Sequence, residues 1–256
     1  MIKAAFFDVD GTLVSHKTKT VPEGTRAALA ALRQKGIKLI VATGRHIMEL
    51  GRLPVYDLSF DGYVTLNGQL CLNGDRTSYY ETPFKAPETA LLTDMFAKKE
   101  IPIMLIERDR MYINFVTDGV RKTQAEISSP VAQVGEYAGG KLYQAIAYVG
   151  PEVSDALSRQ LTECKITRWN GNAVDIISKG GGKVRGIQAF LEQNGIRREE
   201  TIAFGDGEND MEMLQFAGIG VAMGNAGDSV KAVADYVTSG VDEDGIFRAL
   251  EAFEIL

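Results

Sequence analysis

The stretch Asp8-Val9-Asp10-Gly11-Thr12 follows an apolar run, residues 2–7, near the start of the chain. The run predicts a buried strand, and the stretch places two carboxylates two positions apart at its end. Because side chains i and i+2 of a strand point to the same face, Asp8 and Asp10 are expected to converge. The glycine lets the backbone turn, and the threonine offers a hydroxyl to an anion. Core packing does not require two acids here, whereas phosphoryl chemistry with a divalent metal does.

Composition limits the classes of protein to which the chain can belong. Its 256 residues, 45% of them hydrophobic, suffice for one or two domains with a sizeable core. The formal charge of −6 and the pI of about 5.1 argue against nucleic acid and anionic membranes as partners. An anionic substrate would therefore need positive charge from a few basic side chains or from a metal.

The cysteine count and the chain start bear on location. Cys71 and Cys164 are the only cysteines, which argues against a disulfide framework and for a reducing compartment. The start lacks the layout of a signal peptide, and no apolar stretch approaches the roughly 18 residues of a membrane helix. We expect a cytoplasmic protein without a membrane partner, either a monomer or a small homo-oligomer.

Apolar runs alternate with amphipathic segments at both ends of the chain. Examples are the apolar runs at 38–42 and 201–204 and the helical pattern at 22–35. An apolar run of this length is typical of a parallel strand that is covered on both faces. The rhythm predicts an α/β fold in which helices cover both sides of a parallel sheet.

The middle of the chain has a different pattern. Short alternating segments with hairpin signals, such as Asn170-Gly171-Asn172, replace the parallel rhythm after about residue 82. We predict core segments at 1–82 and 181–256, and an inserted α+β domain at 83–180. The triplet Gly180-Gly181-Gly182 is the expected hinge or linker.

Three of the apolar runs end in polar clusters. The cluster at 8–12 is the first, Thr43-Gly44-Arg45 is the second, and Gly205-Asp206-Gly207-Glu208-Asn209-Asp210 is the third. Sites in open α/β sheets form beyond the carboxyl ends of the strands, so three such clusters predict one shared site. Each cluster taken alone, and Lys183 as well, also fits an ordinary turn, helix cap or solvated group. The prediction depends on their occurrence together.

Competing motifs fail on their spacing. An EF-hand loop needs an acidic ligand at its fifth position and glycine at its sixth. Counted from Asp8, these positions hold Thr12 and Leu13, so the motif does not fit. Gly182-Lys183-Val184 lacks the Ser or Thr of a Walker motif, and the stretch at 205–210 lacks the third glycine of a dinucleotide fingerprint. His16 and His46 are too few for a histidine-based metal site, and both are expected on the surface.

Together the motifs resemble those of the haloacid dehalogenase-like (HAD) superfamily, and within it the Cof-type, subclass IIB hydrolases. The three clusters are similar to the first, second and fourth motifs, and Lys183 to the third, with Lys179 as the alternative. Asn67-Gly68 and Val221–Ala226 also resemble this subgroup, although Gln69 stands where Ala is usual. The resemblance covers essentially the whole chain. It implies a Rossmannoid three-layer core with an inserted α+β type-two cap domain.

The resemblance also implies roles for individual residues. Asp8 would be the nucleophile that forms an aspartyl-phosphate, and Asp10 would act as acid and then base. Asp8, the backbone carbonyl of Asp10 and Asp206 would hold Mg²⁺, with Asp210 as an outer partner. The residues that would bind the phosphoryl group or the substrate are Thr43, Gly44, Arg45, Lys183 and Asn209.

The implied activity is that of a Mg²⁺-dependent phosphomonoesterase. Its substrate would be a small phosphorylated metabolite such as a sugar phosphate, a nucleotide or a cofactor phosphate, and the cap would close over the site. Residues 172–175, at a hairpin tip, are candidates for substrate contacts. Two other functions remain open: a phosphomutase or phosphotransferase with the same nucleophile, and a non-catalytic module that binds a phosphometabolite.

Overall fold

The computed structural model describes residues 1–127 and 129–256. Its strands are β1 (Ala4–Phe7), β2 (Lys38–Ala42), β3 (Gly62–Thr65), β4 (Leu70–Asn73), β5 (Ser78–Glu81), β6 (Ile103–Ile106), β7 (Met111–Ile113), β8 (Gln144–Ala147), β9 (Cys164–Asn170), β10 (Ala173–Ser178), β11 (Thr201–Gly205), β12 (Ile219–Ala222) and β13 (Tyr236–Val237). Its α-helices are α1 (Glu23–Gln34), α2 (Ile47–Leu50), α3 (Ala86–Lys98), α4 (Asp118–Glu126), α5 (Pro151–Gln160), α6 (Lys183–Asn194), α7 (Met211–Phe216), α8 (Asp228–Lys231) and α9 (Gly245–Ala252). Among the described residues, no helix combines the length and the apolar character needed to span a membrane.

The chain forms two compact units. One consists of Met1–Glu81 together with Gly182–Leu256, and the other of Thr82–Gly181. The second unit is therefore an insertion into the first, between β5 and α6.

The first unit is built on one mixed sheet with the strand order β13-β12-β11-β1-β2-β3-β4-β5. The strands from β13 to β3 run parallel, whereas β4 is antiparallel to both β3 and β5. Every residue of the central strand β1 is buried, as expected for a parallel strand with helices on both faces. The α/β fold with a parallel sheet, predicted from the sequence, is confirmed.

Successive residues of β1 pack on opposite faces of the sheet, because side chains alternate along a strand. Phe6 joins an apolar cluster with Ile40 of β2 and Phe190 of α6. The rings of Phe6 and Phe190 meet edge to face, with their centroids 6.1 Å apart. The next residue, Phe7, stacks on Phe204 of β11 at 5.3 Å. Each fully buried phenylalanine contributes about 1.5–3 kcal/mol, so these layers hold the central strands in register.

The hairpin β4–β5 was not predicted from the sequence. The chain turns back after β3 through Asn67 and Gly68, which both have positive φ (53° and 86°), and this turn adds antiparallel strands to the edge of the sheet. Residues of β5 are exposed or half-buried, so the strand lacks the continuous apolar run that identified the others. Helix α4 was also missed, because polar residues fill most of its nine positions.

The second unit, Thr82–Gly181, contains an antiparallel sheet with the order β7-β6-β8-β10-β9. Its apolar cluster combines strand residues with Leu92 and Phe96 of α3 and with Leu157 of α5. The pairing of β9 with β10 places Asn170-Gly171-Asn172 at a hairpin turn. This α+β organisation agrees with the change, after about residue 82, from continuous apolar runs to short alternating segments.

Helix α6 approaches the sheet of the first unit very closely at Gly186. A Cβ atom at this position would lie 2.5 Å from Sγ of Cys71 and 2.8 Å from Cγ1 of Val64. Both of those side chains are completely buried, so neither has space to move aside. The glycine therefore allows α6 to lie against β3 and β4. This packing also fixes the position of Lys183, because α6 begins with that residue.

We expect Gly186→Ala to lower the free energy of unfolding by about 1–3 kcal/mol, because the added methyl overpacks the contact between helix and sheet. Gly51→Ala is the matched control. Gly51 has φ −65°, and an added Cβ there would have its nearest neighbour at 3.6 Å. Thermal unfolding followed by circular dichroism compares the two variants. A melting temperature of Gly186→Ala equal to that of Gly51→Ala would contradict the packing argument.

Candidate active site

The carboxyl ends of three neighbouring strands carry the polar clusters. Asp206 follows β11, Asp8 follows β1, and Thr43 follows β2. These strands are adjacent and parallel, so all three residues emerge at the same edge of the sheet. The topology thus brings together segments that are far apart in the sequence, as expected for a site in an open α/β sheet.

Lys183 lies buried between two carboxylates of this edge. Its Nζ donates to Oδ1 of Asp8 at 2.8 Å and to Oδ1 of Asp210 at 2.5 Å, and its side chain is 1% exposed. Burial alone would lower the pKa of the lysine, but Asp210 and Asp8 raise that pKa well above its ordinary value. Lys183 is therefore a fixed positive charge beside Asp8. Its alternative in the sequence, Lys179, belongs to the second unit.

Asp8, Asp206 and Asp210 form a group of acids in which the carboxylate oxygens, one from each, lie within 4.8 Å of one another. Burial, and then the negative charge of Asp210, raise the pKa of Asp8 well above its usual range, against the effect of Lys183. The same two causes raise the pKa of Asp206 to about 7. One lysine therefore does not compensate the whole cluster. An all-oxygen set with excess negative charge fits a hard divalent cation.

Neighbouring groups hold Asp206 and Asp210 in place. Thr12 Oγ1 donates to Oδ1 of Asp206 at 2.9 Å, and Nδ2 of Asn225 donates to the other oxygen at 3.1 Å. The second oxygen of Asp210 accepts the backbone N–H groups of Asp206 and Gly207 at 3.1 and 2.9 Å. Each oxygen of Asp206 and of Asp210 therefore has a hydrogen-bond partner, which fixes the orientation of both carboxylates.

Gly11 is required by the close approach of Asp206. Its φ is +85°, and a Cβ atom there would lie 2.1 Å from Oδ2 of Asp206. Its carbonyl oxygen accepts a hydrogen bond from Nδ2 of Asn225 at 2.9 Å. The glycine of the opening stretch thus leaves the space that Asp206, about 195 residues away in the sequence, occupies.

Asp10 stands apart from this acid group and contacts Arg45 instead. Arg45 Nε donates to Oδ2 of Asp10 at 2.5 Å, and Nη2 donates to Oδ1 at 2.8 Å. Burial alone would lower the pKa of Arg45, but the hydrogen bond and charge of Asp10 raise that pKa above its ordinary value. The sequence suggested that Arg45 contacts phosphate or substrate, whereas the structure places its guanidinium on a carboxylate.

The remaining predicted residues lie along the same edge. The Thr43 side chain is buried, and its Oγ1 accepts the backbone N–H of Arg45 at 3.1 Å. Asn209 Nδ2 donates to Oδ1 of Asn67 at 3.0 Å. Gly44 also adjoins Asn67, since a Cβ on Gly44 would lie 3.2 Å from its amide group. The turn that starts the unpredicted hairpin β4–β5 is therefore part of the site.

Sequence reasoning missed several residues of this site. Asn225 stands in a stretch that was noted only for its family resemblance, and no local pattern connected it to Asp206. Glu49 was not singled out, yet its carboxylate lies 3.6 Å from Nη1 of Arg45. His46 was expected on the surface, and this expectation is wrong. It is completely buried, and its Nδ1 accepts the N–H of Met48 at the start of α2.

A family model described as haloacid dehalogenase-like hydrolase matches residues 5–250. The chain belongs to this family. The resemblance drawn from the sequence motifs is thereby confirmed, and with it the fold that the resemblance implied.

Relatives match over the full length of the chain. The Bacillus subtilis (strain 168) protein YkrA is 31% identical, over 99% of this chain and 98% of its own. A solved structure of BT1666 from Bacteroides thetaiotaomicron, described among phosphatases of the HAD superfamily, gives a TM-score of 0.91 at 31% identity. That match covers 100% of this chain and 96% of the other. The structure of BT4131, a HAD subclass IIB sugar phosphatase, gives 0.89 at 36% identity, covering 99% and 100%.

The acid cluster predicts how stability depends on pH and metal. The pKa of Asp206 in the folded protein, about 7, lies above its unfolded value, so folding takes up a proton. That contribution is fully present below about pH 4 and is lost as the pH rises through about 7. We expect the melting temperature of the metal-free protein to fall between about pH 5 and pH 8, and a divalent cation to raise it more at the higher pH.

Asp206→Asn provides the control for this measurement. The amide does not ionise, so the variant should show a flatter pH dependence and a smaller effect of the divalent cation. Differential scanning calorimetry across the pH range, with and without the metal, measures both quantities. A wild-type melting temperature that rises steadily from about pH 5 to pH 8 would contradict the assigned direction.

Proposed function

We propose that this chain is a Mg²⁺-dependent phosphomonoesterase that hydrolyses a small phosphorylated metabolite through an aspartyl-phosphate on Asp8. The coarser statement, that it is a phosphatase of the HAD family, follows from the family match and from the phosphatase structures that it resembles. The observation that carries the finer proposal is the buried Asp8 carboxylate, held by Lys183 at the edge of an acid cluster.

Asp8 is the carboxylate best placed to attack phosphorus. Its Oδ1 is bound by Lys183, so its orientation is set, and the acid lies where the central strand β1 ends. A carboxylate nucleophile forms a covalent intermediate, which divides one difficult displacement into two easier ones. The repulsion between a carboxylate and a phosphate dianion has to be offset, and Lys183 supplies one fixed positive charge for this purpose.

A divalent cation would supply the remaining positive charge. We assign Asp8, the backbone carbonyl of Asp10 and Asp206 as its protein ligands, and Asp210 as the group that orients Asp206 through the backbone and binds Lys183. Mg²⁺ suits a site of carboxylate and carbonyl oxygens that leaves room for water and phosphate. When bound, it would stabilise the charge that develops on the phosphoryl oxygens.

Asp10 is assigned as the acid that protonates the leaving oxygen and as the base that takes a proton from the attacking water. Its side chain is 34% exposed, whereas that of Asp8 is 10% exposed, so Asp10 is the more accessible of the two acids. An accessible carboxylate two residues from the nucleophile can reach the leaving group on the solvent side. The two acids of the opening stretch thereby receive different roles.

Phosphoryl oxygens need donors along the rest of the edge. We assign the Thr43 hydroxyl, the Gly44 backbone N–H and the Lys183 ammonium to this task, with Asn209 as a further donor through its side-chain amide. Preorganised donors of this kind stabilise developing charge without reorganisation during the reaction. The sugar phosphatase among the structural neighbours makes a sugar phosphate the first substrate class to examine.

A phosphomutase or phosphotransferase would use the same nucleophile but transfer the phosphoryl group to a hydroxyl instead of water. Product analysis with an added acceptor sugar separates this activity from hydrolysis. A non-catalytic binding module would keep the donors without needing the nucleophile. The presence of Asp8, Asp10, Lys183 and Asp206 in one site favours catalysis over such a module.

The decisive test is a hydrolysis screen over many phosphate esters, with and without Mg²⁺, for the wild type and Asp8→Asn. We expect Mg²⁺-dependent phosphate release that falls by about 10⁴-fold or more in the variant, because the amide is a poor nucleophile. Asp57→Asn is the control. It makes the same substitution in an exposed ion pair with Arg26 and should retain full activity.

Folding of Asp8→Asn is checked by circular dichroism and by Mg²⁺-dependent thermal shift. Near-normal turnover in a folded Asp8→Asn protein would remove Asp8 as the nucleophile. Phosphate release that is unaffected by chelation would remove the metal from the proposal. Transfer to an added sugar with little free phosphate would favour the phosphotransferase.

A further inference from the structure

Glu49 stands at the end of a series of three charged side chains that leads to Asp10. Arg45 holds Asp10 through two hydrogen bonds of 2.5 and 2.8 Å. On the other side of the same guanidinium, Nη1 lies 3.6 Å from Oε1 of Glu49. The guanidinium is therefore placed between two carboxylates, one at the candidate site and one behind it.

Exposure along this series is highest at Asp10 and lower at both residues behind it. The side chain of Asp10 is 34% exposed, that of Arg45 is 11% exposed, and that of Glu49 is 22% exposed. The accessible end is thus the one that would meet the substrate, and the two residues behind it are largely shielded from water. Ion pairs that are partly shielded in this way are less screened than surface pairs.

The backbone anchors Glu49 independently of Arg45. Oε2 of Glu49 accepts the backbone N–H of His46 at 2.9 Å, and His46 in turn caps the start of α2 through its Nδ1. His46 is completely buried, so this turn is fixed within the core of the first unit. A long arginine side chain loses much rotamer freedom when it is held, and an anchored carboxylate on its inner side favours the held conformation.

We propose that Glu49 is a positioning residue for Asp10, acting through Arg45. The inference rests on the proposed function, in which Asp10 protonates the leaving oxygen. A bidentate guanidinium–carboxylate pair fixes both the distance and the plane of the carboxylate. Proton transfer in the transition state requires that the acid lie within hydrogen-bond reach of the leaving oxygen, so a loosened Asp10 transfers its proton less effectively.

Glu49→Gln isolates the contact with Arg45. The amide oxygen of glutamine can still accept the N–H of His46, so the cap of α2 is kept. The substitution replaces the carboxylate oxygen that faces Nη1 of Arg45 with an uncharged NH₂ group, which cannot pair with the guanidinium. It leaves the groups assigned to the metal and the phosphoryl group unchanged.

The leaving group provides the readout. An alkyl phosphate, such as a sugar phosphate, releases a strongly basic alkoxide and needs the proton of Asp10. p-Nitrophenyl phosphate releases a stable phenolate and needs that proton much less. The constant kcat/KM covers the steps up to departure of the leaving group, whereas kcat also includes hydrolysis of the intermediate, which is the same for all esters. The ratio of kcat/KM for the two esters therefore reports the acid function of Asp10.

We expect Glu49→Gln to lower kcat/KM for the alkyl phosphate by about 10- to 100-fold, a part of the full effect of a general acid. For p-nitrophenyl phosphate we expect a change of less than about threefold, because that ester depends little on the acid. Competitive inhibition by inorganic phosphate should be unchanged, since the phosphate donors are intact. Arg45→Lys keeps the charge but loses the fork, and it should show the same dependence on the ester.

Glu200→Gln is the matched control. Glu200 also accepts a backbone N–H three residues back, that of Arg197 at 3.0 Å, and also pairs with a cation, Lys3 at 2.8 Å. It precedes β11 and Lys3 precedes β1, so this pair lies at the opposite edge of the sheet. The variant should keep the wild-type ratio between the two esters.

The outcomes separate the two proposals. Equal losses on both esters, or no loss on either, in folded Glu49→Gln and Arg45→Lys would overturn the positioning role. A loss of phosphate inhibition in both variants would also overturn it, in favour of a direct contact between Arg45 and phosphate. A wild-type protein that hydrolyses no ester would overturn the proposed function itself.

Discussion

The buried ammonium of Lys183, bound to both Asp8 and Asp210, is the interaction on which the rest of the site depends. It joins the start of α6 to the end of β1 and to the residue that precedes α7, three segments that meet only in the folded protein. Loss of one partner of such a buried pair typically costs about 3–5 kcal/mol, because the other charge remains uncompensated. The close approach of α6 at Gly186 follows from the same requirement, since the helix has to bring its first residue to the sheet edge.

Charge at this edge is distributed in two separate sets. Three acids share one lysine, and burial together with the excess negative charge raises the pKa values of Asp8 and Asp206. The other set alternates in sign, with Arg45 between Asp10 and Glu49. The first set has the character of a cation site and the second that of a rigid support. The proposed two-step phosphoryl transfer needs both, since charge has to be offset at phosphorus while a proton is moved at the leaving group.

The sequence predicted the parallel sheet and the position of the site for a topological reason. Parallel strands carry their carboxyl ends to one edge, so Asp8, Thr43 and Asp206 could be placed together without knowledge of any contact. Individual partners were less accessible to prediction. Arg45 has a long side chain that suits phosphate and carboxylate equally, and only the fold decides between them. The burial of His46 and the turn at Asn67 depend on tertiary packing, which no local periodicity records.

The insertion of the second unit has a consequence for how such a chain can diverge. The sequence leaves the first unit after β5 and returns at α6, and these two elements contact each other. The two ends of residues 82–181 are therefore anchored at neighbouring points of one rigid scaffold. Mutations, or even an exchange of the inserted segment, need not alter the strand register or the acids at the sheet edge. The two units can accordingly accumulate substitutions at different rates within a single polypeptide.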